Sequence, residues 1–385
     1  MQLIKKKAGE SDGVYHRLAK RLDDMPGGFP ATESGVELRI LRRLFTLEEA
    51  EFALNLALLP EEPARIAKRL RLPEEETAKK LEAMALKGLL YRIAAGDGPP
   101  KYVLWQFVIG IWEFHVNSLD QDLIRDMEEY IPRLLDIETW KKVPQLRTIP
   151  VGQSIPVEHA VMPYEAAEQI VRSQEKILVA PCICRRERRM VGEGCGQLEE
   201  ACLVFGGGTD YYLKNGLGRM ISQEEALRIL AEADRTGLVL QPGNAQKAGN
   251  ICCCCGCCCG VLRTLKKYPR PADIVSSAFR VSVQRESCEG CGVCLDRCQM
   301  DALRLEDDRV AVDLGKCIGC GLCVTTCPTG SLTLERKPSS EQPEVPETMM
   351  RTYVKLARQR GKLKAGRVLG MWLKAKLPAR PRTSA

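Results

Sequence analysis

The sequence predicts a multidomain chain of the α+β class, and three observations carry that reading. Up to about Glu138 there is no cysteine, and apolar residues recur at helical spacing. From about Thr148 to Tyr268 helical stretches alternate with short apolar strands, and 11 of the 19 cysteines fall in that segment. The other eight form two runs of identical spacing near the C-terminal end. A length of 385 residues suits two or three domains.

The first domain, 1–147, has helical periodicity over Leu44 to Leu58, Ala64 to Leu70 and Glu74 to Leu90. Pro60, Pro63 and Pro73 mark the breaks, with Pro73 suited to the first turn of the third helix. Leu90 to Ile93, a turn at Gly96 to Pro100, and Tyr102 to Leu104 then read as a hairpin. Three helices and a hairpin resemble a winged helix-turn-helix of roughly 70 residues. A DNA-binding winged helix inserts its third helix into the major groove, and here that helix opens on Glu74, Glu75 and Glu76. Three carboxylates oppose a polyanion but favour the helix macrodipole. DNA binding is therefore disfavoured, and docking of a partner protein is the expected role.

The second domain, 148–270, is expected to be a small α/β fold whose cysteines converge at strand ends. A helix (Tyr164 to Ser173) leads into the strand Ile177 to Pro181, and Cys182 and Cys184 follow at once. Cys195 and Cys202 come after a glycine-rich stretch. Ser222 with Glu225 reads as a capping box for a helix ending at Gly237, and Leu238 to Leu240 as another strand. Seven cysteines then crowd Cys252 to Cys259, too many for one metal, because neighbouring side chains of an extended segment face opposite ways. Candidate metal ligands are Cys182, Cys184, Cys195, Cys202, Cys252, Cys254, Cys255, Cys257 and Cys258. All-thiolate donors suit one or two further iron–sulfur clusters, or zinc; a reactive dithiol is a third reading. Arg185, Arg186, Arg188 and Arg189 follow the first pair, either as cations beside a negative cluster or as an exposed basic face.

The third domain, 279–337, holds CEGCGVCLDRC (Cys288, Cys291, Cys294, Cys298) and CIGCGLCVTTCP (Cys317, Cys320, Cys323, Cys327). In C-x2-C-x2-C-x3-C runs three thiolates wrap one iron–sulfur cube and the fourth reaches the other cube. Cys288, Cys291, Cys294 and Cys327 are thus expected at one [4Fe–4S] cluster, and Cys317, Cys320, Cys323 and Cys298 at the second. Zinc sites, built from C-x2-C pairs, seldom show the three-residue step. The stretch resembles a bacterial two-cluster ferredoxin, a βαβ-βαβ fold, with Gln299 standing where that family usually has proline. Together with the preceding CxCR…CCxCC pattern it resembles ferredoxin-fused iron–sulfur proteins of anaerobes, which implies a cluster-bearing module exchanging electrons with the ferredoxin.

The last segment, 338–385, begins as a Ser/Glu/Pro linker and continues as a basic tail with 11 Lys and Arg and no acid from Arg351 onward. Tyr353 to Leu377 reads as an amphipathic helix (Leu356, Leu363, Val368, Met371, Trp372), either a solvated terminus or a contact for an acidic partner or anionic membrane surface. No signal peptide or transmembrane segment is expected; the longest apolar stretch, Tyr102 to Val116, is short and contains Gln106 and Glu113. Cytoplasmic location and reduced or metal-bound cysteines are the corresponding expectations. There is no P-loop and no G-x-G-x-x-G between strand and helix, and His16, His115 and His159 suggest no catalytic set. The expected function is relay of single low-potential electrons to a redox partner protein, as a carrier or oxidoreductase subunit. The alternatives are a redox-sensing winged-helix regulator and an oxidoreductase with an unusual cluster as its active site.

Overall fold

The computed structural model of the protein describes residues 2–96, 98–135, 137–154 and 162–363. The chain forms two compact units. Of the described residues, one comprises those up to Leu134, Asp210–Leu217 and those from Leu356 onward; the other comprises those in Leu135–Thr209 and Gly218–Lys355. Among the described residues no helix is long and apolar enough to cross a membrane.

In the first unit, helices Gln2–Asp23, Val36–Leu44, Leu47–Leu54, Pro63–Leu70 and Glu74–Leu86 precede an antiparallel hairpin, β1 (Tyr91–Ala95) and β2 (Gly98–Val103). Helix Gln121–Leu134 follows; it and Gln2–Asp23 have no counterpart in the sequence reading. The helix expected over Leu44 to Leu58 is broken by Thr46. Thr46 Oγ1 accepts from Glu49 N and Glu49 Oε2 accepts from Thr46 N, a capping box that starts a new helix at Leu47. Pro73 is the N-cap of the third expected helix, not part of its first turn. That helix stops at Leu86 because Gly88, at φ +86°, lets Leu89 N reach Met84 O and Gly88 N reach Ala85 O, a Schellman ending. Leu18, Leu22, Ile40, Leu41, Ile66 and Leu81 fill the core between these helices.

The second unit is built on a five-stranded sheet: β3 (Ile177–Pro181), β4 (Glu200–Phe205), β5 (Arg219–Ile221), β6 (Val239–Pro242) and β7 (Asn250–Cys254) in the order β5-β3-β4-β7-β6. Every pairing is antiparallel, so the alternation of helices and strands does not produce a parallel α/β sheet here. Helix Gln223–Arg235 begins as expected at Ser222, whose hydroxyl accepts from Glu225 N. Ile149 N donates to Leu240 O and Val151 N to Cys320 O, so this short segment links the sheet to the part that carries the two spaced cysteine runs.

That part pairs β8 (Phe279–Val283) with β11 (Leu332–Arg336) and β9 (Leu303–Glu306) with β10 (Arg309–Val312). One helix, Val293–Arg297, sits in the first half; the corresponding stretch 322–326 in the second is a series of turns, a departure from a regular βαβ-βαβ repeat. Val281, Ala302, Val310 and Leu332 form the core with Cys294 and Cys317. The expected linker is packed: Gln246 N donates to Pro346 O and Lys247 N to Glu347 O, ahead of helix Met349–Gln359. Of the expected tail helix, Leu356 is buried and Arg360 and Lys362 pair with Asp23; Val368, Met371 and Trp372 lie outside the described residues.

Candidate metal centres

Two cavities lie in the part that carries the two spaced cysteine runs, and each is lined by four cysteines. The first gathers Cys288, Cys291, Cys294 and Cys327; the second gathers Cys298, Cys317, Cys320 and Cys323. Each takes three thiols from one run and one from the other. The remaining lining is mostly apolar, with Val310 and Leu332 at the first and Val281, Ile318 and Leu322 at the second.

The loops close this tightly only with glycine. At Gly290 (φ +67°) a Cβ would meet Asp308 O at 2.2 Å, and at Gly319 (φ +69°) it would meet Phe279 O at 2.1 Å. Backbone amides aim at sulfur: Val310 N donates to Cys288 Sγ at 3.3 Å and Ala302 N to Cys298 Sγ at 3.2 Å. These features fit a thiolate-bound anionic cluster, whose sulfurs need donors in a dry cradle. Burial pushes the Cys294 thiol up to about 11 and the Cys320 thiol up to about 12. Burial also opposes ionisation of Cys327, but the Ser331 and Thr329 hydroxyls outweigh it and bring the thiol down to about 7.

The middle cysteines divide into separate groups. Cys195, from the loop before β4, meets Cys255, Cys257 and Cys258 of the turn after β7, with all four sulfurs within 4.8 Å of one another. Cys195 Sγ lies 3.7 Å from Cys255 Sγ and 3.6 Å from Cys258 Sγ, and Cys257 Sγ lies 3.7 Å from Cys258 Sγ. A tetrahedral ion with metal–sulfur bonds of about 2.3 Å sets its ligand sulfurs about 3.8 Å apart. The group therefore has the span of a single-ion tetrathiolate site, a fit that favours one zinc or iron ion over a cube. Burial resists ionisation of Cys195, yet the Gln197 N–H and the Cys258 thiol bring it to about 7.

Cys182, Cys184, Cys202, Cys252 and Cys254 lie elsewhere, around the end of the sheet. Cys182 is the N-cap of helix Ile183–Met190 and Cys184 lies in its first turn. Cys202 on β4 stands directly opposite Cys252 on β7. Cys259, absent from the sequence-based ligand set, joins these five: its thiol contacts those of Cys184 and Cys254. Cys253, one residue out of phase with Cys252 and Cys254, is buried on the opposite face of β7.

Of the four arginines, Arg185 alone is fully buried. Its guanidinium donates to Cys253 O at 2.6 Å and to Leu198 O, and it faces Cys182 and Cys255. Burial favours its neutral form, but those thiols hold its pKa above the ordinary value. Arg186 and Arg189 instead pair with Glu199 at the surface.

No curated protein proved similar to the chain. Residues 287–331 match the family described as the 4Fe-4S dicluster domain, which supports [4Fe–4S] binding and an iron–sulfur electron-transfer role for this part of the chain.

Proposed function

We propose that the chain is an iron–sulfur electron-transfer protein. In this reading Cys288, Cys291, Cys294 and Cys327 hold one [4Fe–4S] cluster, and Cys317, Cys320, Cys323 and Cys298 hold the other. The observation that carries it is the interleaving of the two runs, three thiols and one, around two separate cavities. Bound there, the clusters supply one-electron chemistry toward the negative end of the iron–sulfur range. The chain's own residues exclude water with apolar lining and stabilise anionic sulfur through the Val310 and Ala302 amides. The first site reaches the surface: Cys291 is exposed, and Val293 and Leu305 beside it are 44% and 41% exposed. That apolar edge is read as the docking point of a redox partner protein. The Cys195 group is read as a single-ion metal site.

The three-helix and hairpin arrangement of the first unit supports a winged-helix-like docking module, with Glu74, Glu75 and Glu76 exposed at the helix start where DNA phosphates would lie. The basic residues beyond Lys362 are assigned to contact with an acidic partner or anionic surface.

Anaerobic purification, iron and sulfide analysis, and EPR after dithionite test the central reading. About eight irons and eight sulfides from the ferredoxin-like part are expected. Iron-free, colourless protein would overturn it. A gel shift with duplex DNA is expected to show no sequence-specific complex.

A further inference from the structure

Six middle cysteines remain outside both the ferredoxin cavities and the Cys195 group, and their arrangement differs from either. Their thiols make a chain of side-chain contacts running Cys182, Cys184, Cys259, Cys254, Cys252, Cys202; Cys182 also lies within electrostatic reach of Cys252, so five of them form an open ring that Cys202 joins at Cys252.

The sheet explains why they meet. Cys252 and Cys254 are two apart on β7 and share a face. Cys202 on β4 and Gln241 on β6 stand opposite Cys252 on either side. Cys182 and Cys259, the N-caps of helices Ile183–Met190 and Gly260–Leu265, close the ring from the loops, with Cys184 beside Cys182. Two side-chain amides point at the sulfurs: Asn250 Nδ2 is 3.6 Å from Cys252 Sγ, and Gln241 Nε2 is 3.7 Å from Cys259 Sγ. Carboxamide N–H groups aimed at sulfur are donors for an acceptor that carries charge.

Size and charge narrow the occupant. Among the described residues only the Cys195 group draws three or more ligand atoms within 4.8 Å of one another. A lone tetrahedral ion needs its sulfurs about 3.8 Å apart, so the ring is too open for one. Six thiolates around one divalent ion would also leave about four negative charges in a largely enclosed site, a heavy desolvation cost. Several metal ions are required. With no imidazole or carboxylate among the donors the metals are soft ones, and the same unit carries a 4Fe-4S dicluster match.

We infer that Cys182, Cys184, Cys202, Cys252, Cys254 and Cys259 form the ligand set of one polynuclear iron–sulfur centre, separate from the single-ion site at Cys195. Arg185 lies between the two, facing Cys182 and Cys254 of one and Cys255 of the other, and supplies a fixed positive charge to both.

The test uses the full chain prepared without oxygen, with iron, zinc, copper and acid-labile sulfide counted per chain. Iron and sulfide above the roughly eight of two cubes are expected. A Cys252→Ser/Cys254→Ser variant should lose several irons with matching sulfide while keeping the signal that depends on Cys291. Cys255→Ser/Cys257→Ser should lose one metal and no sulfide. Cys259→Ser repeats the ring test at a loop position if the double strand variant does not fold. Cys253→Ser, buried but outside the ring, should keep full metal content. The inference is overturned if the ring variants leave iron and sulfide unchanged, if they lose a single ion, or if the metal lost is copper or zinc without sulfide. Loss of the same iron in Cys253→Ser also overturns it. Cys291→Ser reports separately on the ferredoxin clusters, so failure of that reading is distinguishable.

Discussion

The Gln299 side chain accepts a hydrogen bond from Gly256 N at 2.6 Å, joining the residue after Cys298 to the turn that carries Cys255, Cys257 and Cys258. Gly256 is packed so closely that a Cβ there would meet Gln299 O at 2.3 Å. Gln299 occupies the position expected to be proline, and proline has no carboxamide to accept this bond. The bond also makes a short path from Cys298 to the tetrathiolate turn.

Replacing Gln299 with proline should leave the ferredoxin iron intact and loosen the turn. A lost hydrogen bond of about 0.5–1.5 kcal/mol corresponds to about 2- to 13-fold weaker metal retention at the Cys195 group. Competition with a chromogenic chelator measures this. Unchanged metal release would show that the contact does not hold the site.

Two glycines of the cluster loops separate strain from collision. Gly319→Ala places a methyl 2.1 Å from Phe279 O and should abolish the second cavity, halving the ferredoxin iron by about four per chain. Gly292, at φ +74° with open space around it, should accept alanine at a cost of about 1–2 kcal/mol and keep its iron. Iron analysis and thermal melting of the two variants distinguish these outcomes.

The grouping of the eight C-terminal cysteines around two cavities was legible in the sequence because they sit on short, regularly spaced loops, where covalent spacing dictates which thiols can meet. The middle domain was less so. Whether Cys202 meets Cys252 depends on the strand order β5-β3-β4-β7-β6, which local spacing does not encode. Cys259 follows the strand by five residues and returns through a turn, so period-two counting along Cys252 to Cys259 misses it. Gln299 stood out as a departure, but its partner lies 43 residues away. In the first unit, Thr46 and Glu49 carried a readable capping box inside a periodic run, and the run obscured it.

Arg185→Met should destabilise both middle sites together. It removes hydrogen bonds to Cys253 O and Leu198 O, each worth about 1.5–3 kcal/mol as charge-assisted bonds, and it withdraws the cation facing Cys182 and Cys255. Arg185→Lys keeps the charge but not the forked geometry and should rescue only part of the loss. Metal content of the two sites and the melting temperature report the effect. Normal occupancy in Arg185→Met would place the arginine outside their energetics.

His115 provides a pH test in the first unit. It is buried, and although its Nδ1 donates to Ile111 O at 2.7 Å, burial lowers its pKa below the ordinary imidazole value. The folded state therefore binds this proton less readily than the unfolded chain. By linkage, stability attributable to His115 is fully present above its unfolded pKa of about 6.5 and is lost as pH falls below it. His115→Gln, which cannot take up that proton, should melt with a shallower decline between about pH 7.5 and about pH 5 than the unsubstituted chain. Parallel slopes for the two proteins across that interval would mean that His115 is protonated equally in the folded and unfolded states.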